Sequence, residues 1–509
     1  MIQSLSTRRS TLGRETTIRI TRRTAEALNA HMRRNDGTEQ MAFGLASPTQ
    51  TEDGSLFLVN EILLPDVGDL AQQSAGAVCP TQHFQSTVYL LAQRQKKSIV
   101  EFHTHPGSCQ PRFSAIDERY GIQNAEYIRA RLPDPATLVM VVGNNRFDAF
   151  DAVVFDRHVG EFFQVHRLEI LGRLTQVFSF GQGSPTTATY PAEFFDRQRR
   201  IPGWNQKGLE LQRVGILGAG GNGAPLLQLL TSIGAAREGF IAIADPDTVE
   251  PSNLARIPYA TAEHVGIPKV SIAAQYVGRK APTTAVFPFP CRFHEPSVLR
   301  RMKMATVLFY CGDNDGGRKE VNDVAVRFGI PMIDLGCDIQ VSEEKVVAGG
   351  QIRLVLPGET ACLVCCRGFD PAQAALDQMD AAARARQASH GYVIGSDAEA
   401  TPSVANLNGI TAQFAVAQFL ALVNGAHFAQ WDYLHFDAFT GRTVPAATTW
   451  DPECPQCGRS GSLMAGDPAE DAPPSRPTIR RWFAGRAKDS TTAAPPATES
   501  KRRKSTKQS

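Results

Sequence analysis

At 509 residues the chain is too long for one ordinary core, which predicts two or three domains. Its composition, 42% hydrophobic and 20% charged, is that of a globular protein, and a formal charge of +2 gives no reason to expect nucleic acid or an acidic membrane as a partner. No apolar run is expected to approach the length of a membrane span, so no membrane is expected either.

The opening segment, MIQSLSTRRSTLGRETTIRITRR, holds a twin arginine with no apolar stretch after it, so no export signal is expected. Four of the ten cysteines form two C-x-x-C pairs, a pattern that in a reducing compartment holds metal rather than bridges. Both points favour a cytoplasmic protein.

Residues 15–168 alternate strand-like runs, LFLVNEILL at 56–64, SIVEFHTH at 98–105, TLVMVVG at 137–143 and AFDAVVF at 149–155, with helical patterns at 81–96 and 115–131. This predicts a first α+β domain. SFGQGSPTTATYP at 179–191 has linker composition, so residues 169–193 are read as a connection. From 194 to 460 the apolar runs RVGILG, GFIAIA, TVLFYC and PMIDLG read as parallel strands, with helices between them at 223–233, 268–279 and 316–328. The second domain is therefore α/β. Residues 461–509 turn to Pro, Ser, Thr, Ala and basic side chains and are expected to be a disordered basic tail.

The densest polar signal is EFHTHPGSCQPRFSAIDERYG at 101–121. SAID fits a capping box with Ser114 as N-cap and Asp117 at the third helical position. His103 and His105, two apart on a strand, face one side. Two imidazoles at a strand end and a carboxylate opening the next helix can converge on a zinc with one open position. The pattern H-x-H-P, seven residues, S-x-x-D resembles the JAMM motif of the JAB/MPN metalloproteases, which cleave after ubiquitin-like proteins. That resemblance implies His103, His105 and Asp117 as zinc ligands and Ser114 as an oxyanion donor. It implies Glu39, in EQMAFGLAS, as general base, with Glu61 as the runner-up. Glu101 is read only as the residue before the ligand strand. An MPN scaffold without protease activity is the alternative.

RVGILGAGGNGAPLLQLL at 213–230 places Gly218, Gly220, Gly221 and Gly223 between a strand and a helix, where backbone N–H groups approach a nucleotide. Asp245, ending the next strand, is placed for a ribose hydroxyl. An NAD-dependent oxidoreductase would show the same fingerprint. The stretches ADPDTVEPSNLARIPY at 244–259, HVGIPK at 264–269 and YCGDND at 310–315 resemble the ThiF superfamily of adenylating enzymes. The resemblance implies a Rossmann-like domain that uses ATP and magnesium to adenylate the C-terminal glycine of a ubiquitin-like protein. Asp245 and Asp247 would serve the nucleotide, Asn253, Arg256 and Lys269 the triphosphate, and Asp313 the magnesium. Arg197, in FFDRQRRIPGW, matches an arginine that reaches the ATP site from a second subunit, which implies a homodimer.

ACLVCC at 361–366 and DPECPQCG at 451–458 supply Cys362, Cys365, Cys454 and Cys457 for one closed structural zinc. No cysteine lies between Cys366 and Cys454, so Cys366 is the sole nearby candidate for a thioester nucleophile. Tyr310 stands where the superfamily often has aspartate. Jointly, the two resemblances imply one chain that processes a ubiquitin-like protein and activates its C-terminus, for conjugation with a conjugating enzyme or for sulfur transfer with a sulfur carrier.

Overall fold

The computed structural model describes residues 15–180, 192–379, 402–468 and 478–481, apart from residues 35, 344, 426 and 427. In the first unit, β1 (Glu15–Thr21), α1 (Arg22–Met32), β2 (Met41–Gln50), β3 (Gly54–Leu64), β4 (Leu70–Gln73), β5 (Val78–Pro80), α2 (Gln82–Gln95) and β6 (Ser98–His105) are followed by α3 (Ala115–Arg131). Then come β7 (Leu138–Asn144), β8 (Phe150–Asp156), β9 (Glu161–Gln164), β10 (Arg167–Leu171) and β11 (Gln176–Ser179). The main sheet has the order β11-β10-β1-β3-β2-β6-β7-β8-β9, and β4–β5 form a separate hairpin. Side-chain caps start the helices: the hydroxyls of Thr21, Thr81 and Ser114 each accept a backbone N–H from the first turn of α1, α2 and α3.

The second unit contains α4 (Asp196–Arg199), α5 (Gln206–Glu210), β12 (Arg213–Leu217), α6 (Gly223–Ser232), β13 (Phe240–Ala244), α7 (Lys269–Lys280), β14 (Ala285–Phe289) and α8 (Pro296–Met302). It continues with β15 (Val307–Tyr310), α9 (Asp315–Phe328), β16 (Met332–Val341), β17 (Val346–Val355), α10 (Pro371–Asp377), α11 (Ala405–Asn424), β18 (Tyr433–Asp437) and β19 (Thr443–Ala446). Its sheet order is β14-β13-β12-β15-β16-β17-β18-β19, parallel from β14 to β16 and antiparallel beyond. The chain moves outward from β12 through β13 to β14, then crosses back to β15 on the other side. That reversal opens a crevice at the C-terminal ends of β12 and β15, where open α/β sheets bind ligands.

Four expectations need correction. The first unit does not end at residue 168, because β10 pairs with β1 and β11 pairs with β10, carrying the sheet to Ser179. The second unit runs past residue 460: Leu463 and Met464 are buried in its core, and Met464 N–H donates to Val326 O. Within the supposed tail, β20 (Thr478–Arg481) pairs in parallel with Glu61–Leu64 of β3; the remaining tail and residues 181–191 of the linker lie outside the described residues. Finally, α11 is long and apolar enough to cross a membrane by length and composition, but it packs on α6, β16 and β17 and most of it is buried. It is a core helix.

The two units share an interface. All of β3 is buried because its two faces serve different cores: Phe57 and Val59 pack inside the first unit, Leu56 and Leu58 inside the second. Arg19 crosses the same boundary. Its Nε donates to Glu169 Oε2 (2.9 Å), Nη1 to the carbonyls of Lys303 (3.0 Å) and Phe328 (3.1 Å), and Nη2 to that of Ala305 (2.9 Å). A buried guanidinium is tolerated when its donors are met in this way. Arg213–Glu15 and Arg301–Asp53 join the units at the rim.

Candidate functional site

At the open end of β6, His103 and His105 face the same side, and α3 brings Asp117 opposite them. The capping box sets the height of that carboxylate: Ser114 N–H donates to Asp117 Oδ2 at 2.6 Å, and Asp117 N–H returns to Ser114 Oγ at 3.3 Å. His103 Nε2 is 3.5 Å from Asp117 Oδ1, and His105 Nε2 is 3.3 Å from Asp117 Oδ2. Ligands about 2.0–2.1 Å from a tetrahedral zinc stand roughly 3.4 Å apart, so these spacings fit the ion. The chemistry of the donors agrees, because both ring nitrogens of the buried His103 lack a hydrogen-bond partner. Burial opposes charge on that ring, yet the carboxylates of Asp117, Glu101 and Glu39 outweigh it and raise its pKa.

Glu39 joins through backbone pairing. Gln40 N–H donates to Thr104 Oγ1 (2.9 Å) and Thr104 N–H to Gln40 O (3.0 Å), which sets the chain before β2 beside the end of β6. The β4–β5 hairpin holds it from behind, with Glu39 N–H on Ser74 O at 2.7 Å. Glu39 Oε1 then lies 3.9 Å from His105 Nε2, and burial pushes its carboxyl pKa up against the pull of the two histidines. Glu61 is elsewhere: it opposes Leu45, which pairs with Ile99, four residues back along β6 from His103, and its Oε2 accepts from Gln95. The runner-up base is therefore displaced from the cluster. Glu101, dismissed from sequence, belongs to the site. It shares the strand parity of His103 and His105, and its Oε1 lies 3.8 Å from His103 Nδ1. That parity was the signal available in the sequence.

At the crevice of the second unit, a cavity of about 340 Å³ is walled by Gly218, Asp245, Asp247, Tyr310, Asp313 and Glu320 among others. Gly218 has φ +98°, and a Cβ on Gly223 would lie 1.9 Å from Gly218 O, so both glycines are required by the turn. Gly221 lies against Asn408, whereas Gly220 faces open space. Asp245 secures the turn: Oδ2 accepts from Ala219 N–H (2.7 Å) and Oδ1 from Asp247 N–H (2.9 Å), while burial raises its pKa and Lys269 lowers it. Lys269 Nζ is 2.8 Å from Asp247 Oδ2, one ion pair behind the cavity wall. Asn253 is buried and its Oδ1 caps Glu250 N–H, and Arg256 is half-buried; neither is in the wall. Arg197 is exposed on α4, away from the same chain's cavity. Sequence reasoning missed Asp377 of α10, which lines the cavity and accepts the N–H groups of Asp315 and Gly316 at the start of α9.

A second cavity, about 590 Å³, lies on the other side of Gly312 and Asp313, along Arg318, Cys337, Gly349, Gly350 and His435. Arg318 is fixed by Asp334, a buried carboxylate that it shares with Arg353. Tyr310, which replaces an expected aspartate, is packed inward and its hydroxyl donates to Asn314 O at 2.7 Å.

The four cysteines do converge. Sγ–Sγ separations are 3.8 Å for Cys362–Cys365, 3.7 Å for Cys362–Cys454 and 3.3 Å for Cys365–Cys457. A zinc with bonds of about 2.3 Å needs edges near 3.8 Å, so the thiols fit. Thiol hydrogen bonds from Cys362 and Cys457 hold the Cys365 pKa far below its ordinary value. Cys366 stands apart, its Sγ toward Leu363 O and its pKa raised by burial, an unfavourable state for a nucleophile.

Parts of this chain are similar to known proteins. The adenylyltransferase and sulfurtransferase UBA4 of Yarrowia lipolytica is 34% identical over 142 residues, 27% of this chain and 35% of that protein. The sulfur carrier protein adenylyltransferase of Thermus thermophilus is 34% identical over 142 residues, 27% of this chain and 51% of that protein. The SAMP-activating enzyme E1 of Haloferax volcanii is 36% identical over 121 residues, 24% of this chain and 44% of that protein. The matches thus span about a third to a half of these relatives. A solved structure of E. coli MccB with ATP is similar at 19% identity and a TM-score of 0.40, over 53% of this chain and 76% of that one. The ThiF family model matches residues 195–458, just over half of the chain, around the glycine turn and the cavity beside it. The chain belongs to the ThiF family.

Proposed function

We propose that the chain is a bifunctional enzyme acting on a ubiquitin-like or sulfur carrier protein. Its second unit would adenylate that protein's C-terminal carboxylate with ATP, and its first unit would be a JAB/MPN domain that cleaves after the same tail. The observation that carries the reading is the pair of cavities meeting at Asp313, one beside the glycine turn and Asp245, the other lined by strand backbone.

A nucleotide in the first cavity would face the N–H groups of the glycine turn, which favour negative charge. Asp313 is the residue to hold magnesium, which when bound would offset phosphate charge. A glycine-ended tail fits the second cavity, where Gly349 and Gly350 leave room for close backbone approach. Its carboxylate would attack the α-phosphorus, forming an acyl-phosphate bond and releasing pyrophosphate, with Arg292 lining the first cavity and Arg318 the second, and with Arg256 and Lys269 outside the wall. We place Arg197 of a second copy at this site, as in a homodimer. ThiF membership and the relatives' names favour this reading over an NAD-dependent oxidoreductase.

In the first unit, a zinc held by His103, His105 and Asp117 would supply Lewis acidity at neutral pH. Glu39 would take the proton of the attacking water and deliver it to the leaving amine. Ser114 would donate to the developing oxyanion. The four-cysteine cluster would hold a structural zinc, which suits a reducing, cytoplasmic setting.

Exchange of labelled pyrophosphate into ATP tests the adenylating half. Exchange should depend on a small protein ending in glycine and fall by at least about 100-fold in Asp313→Ala. Partner-independent exchange, or none with ubiquitin-like and sulfur carrier partners alike, would overturn it.

A further inference from the structure

We propose that Glu101 is a positioning residue that fixes the imidazole of His103 for metal, by accepting a hydrogen bond from its Nδ1–H. The inference rests on the zinc reading of the His103–His105–Asp117 cluster.

The ring of His103 divides its two nitrogens between two sides. Nε2 faces Asp117 Oδ1 at 3.5 Å, within the triangle of ligands, whereas Nδ1 faces Glu101 Oε1 at 3.8 Å. Nε2 is thus the ligating atom, and Nδ1 must carry the proton of a neutral ring. A metal-bound histidine needs an acceptor for that proton, because the acceptor selects the tautomer and holds the ring plane. The His103 side chain is only 4% exposed and neither ring nitrogen is hydrogen-bonded, so bulk water is a poor substitute. On its other side, Phe113 meets the ring edge-to-face with centroids 5.9 Å apart, which leaves the position of the ring plane to Glu101.

Strand geometry makes the partner dependable. Glu101, His103 and His105 occupy alternate positions of β6, a strand paired on both edges, with β2 and with β7. Their Cβ atoms therefore point to one side by backbone necessity. Closing 3.8 Å to hydrogen-bond length needs a movement of about 1 Å, within the reach of a glutamate side chain. Glu39 and Glu101 thus divide the work: Glu39 lies toward His105 and the open end of the site, Glu101 behind His103.

The test uses the full chain loaded with zinc, then with cobalt, and the variants Glu101→Ala and Glu101→Gln. Wild type should bind two zinc ions, one at each cluster; the unfolding transition of the first unit in calorimetry reports folding in every variant. Competition with a chromophoric chelator should show zinc affinity at the histidine cluster falling about 10- to 100-fold in Glu101→Ala. Glu101→Gln, whose amide oxygen also accepts from Nδ1–H, should retain most of it. The ligand-field bands of cobalt at this cluster should move in the alanine variant and stay near wild type in the glutamine variant. If Glu101→Ala loses the unfolding transition of the first unit, Glu101→Thr, a better strand former without the reach, replaces it. Unchanged affinity and spectrum in the alanine or threonine variant would overturn the inference. Equal, complete metal loss in all variants would overturn it too, making Glu101 a ligand. A wild-type chain that binds zinc only at the cysteines would instead remove the zinc reading beneath it.

Discussion

Among the described residues, two clusters of side chains that could hold a metal are built in opposite ways. Cys362, Cys454 and Cys457 are 1%, 2% and 1% exposed and sit with Cys365 in the core of the second unit. Four like ligands close a tetrahedron and leave nothing for a substrate. The histidine cluster offers three ligands of two kinds at a strand end, with Glu39 beside them and a mostly apolar cavity of about 240 Å³ along Phe113, Asp117 and Phe162. The contrast separates a cluster suited to stability from one suited to chemistry.

The largest expected effect breaks the closed cluster. Structural zinc sites contribute roughly 10–16 kcal/mol, comparable with the whole stability of a domain. Cys454→Ser should therefore lose one zinc and abolish the cooperative unfolding transition of the second unit in calorimetry. An unchanged transition would show that the thiols are packing groups only.

At the open cluster the effect should fall on catalysis instead. Glu39→Gln is expected to keep its zinc and its melting temperature while cleavage of a ubiquitin-like fusion drops by about 10²–10⁴-fold. Undiminished cleavage would assign the proton transfer to another group, and no cleavage by wild type would favour an MPN scaffold.

A smaller effect sharpens how the units are joined. Glu359 lies against Gly172 and Arg173, between β10 and β11 of the first unit, and burial pushes its pKa up to about 7, with Arg173 opposing. A carboxyl whose folded pKa is raised stabilises the fold below its unfolded pKa, and that contribution is lost as pH rises through about 7. Wild type should lose stability between about pH 5 and 8, and Glu359→Gln should flatten the decline, by roughly 1–3 kcal/mol at pH 8 in urea titrations. Parallel pH profiles would mean that solvent reaches the carboxylate.

Much of this was legible in the sequence. β6 and α3 fall where alternation and the capping box placed them, because period-two patterning and N-cap chemistry are local properties. The glycine turn was legible for the same reason, since Gly218 and Gly223 answer to their own backbone. The choice between Glu39 and Glu61 was harder, because both precede β6 in chain order and only the register of β2 against β3 and β6 separates them. Glu101 was overlooked because motif spacing drew attention to the histidines and away from the strand that carries them.

By itself the sequence determined the two-unit plan, the elements that bear the motifs and the residue types that gather in the two clusters and at the glycine turn. These follow from periodicity, caps and spacing, which act over a few residues. Only the tertiary structure decided where each unit ends, and why β3 is buried on both faces. It also decided why Arg19 lies in the interior and which glutamates meet the histidines. Those outcomes depend on pairings between strands far apart in the chain and on a shared interface, where burial and register, rather than local preference, fix the arrangement.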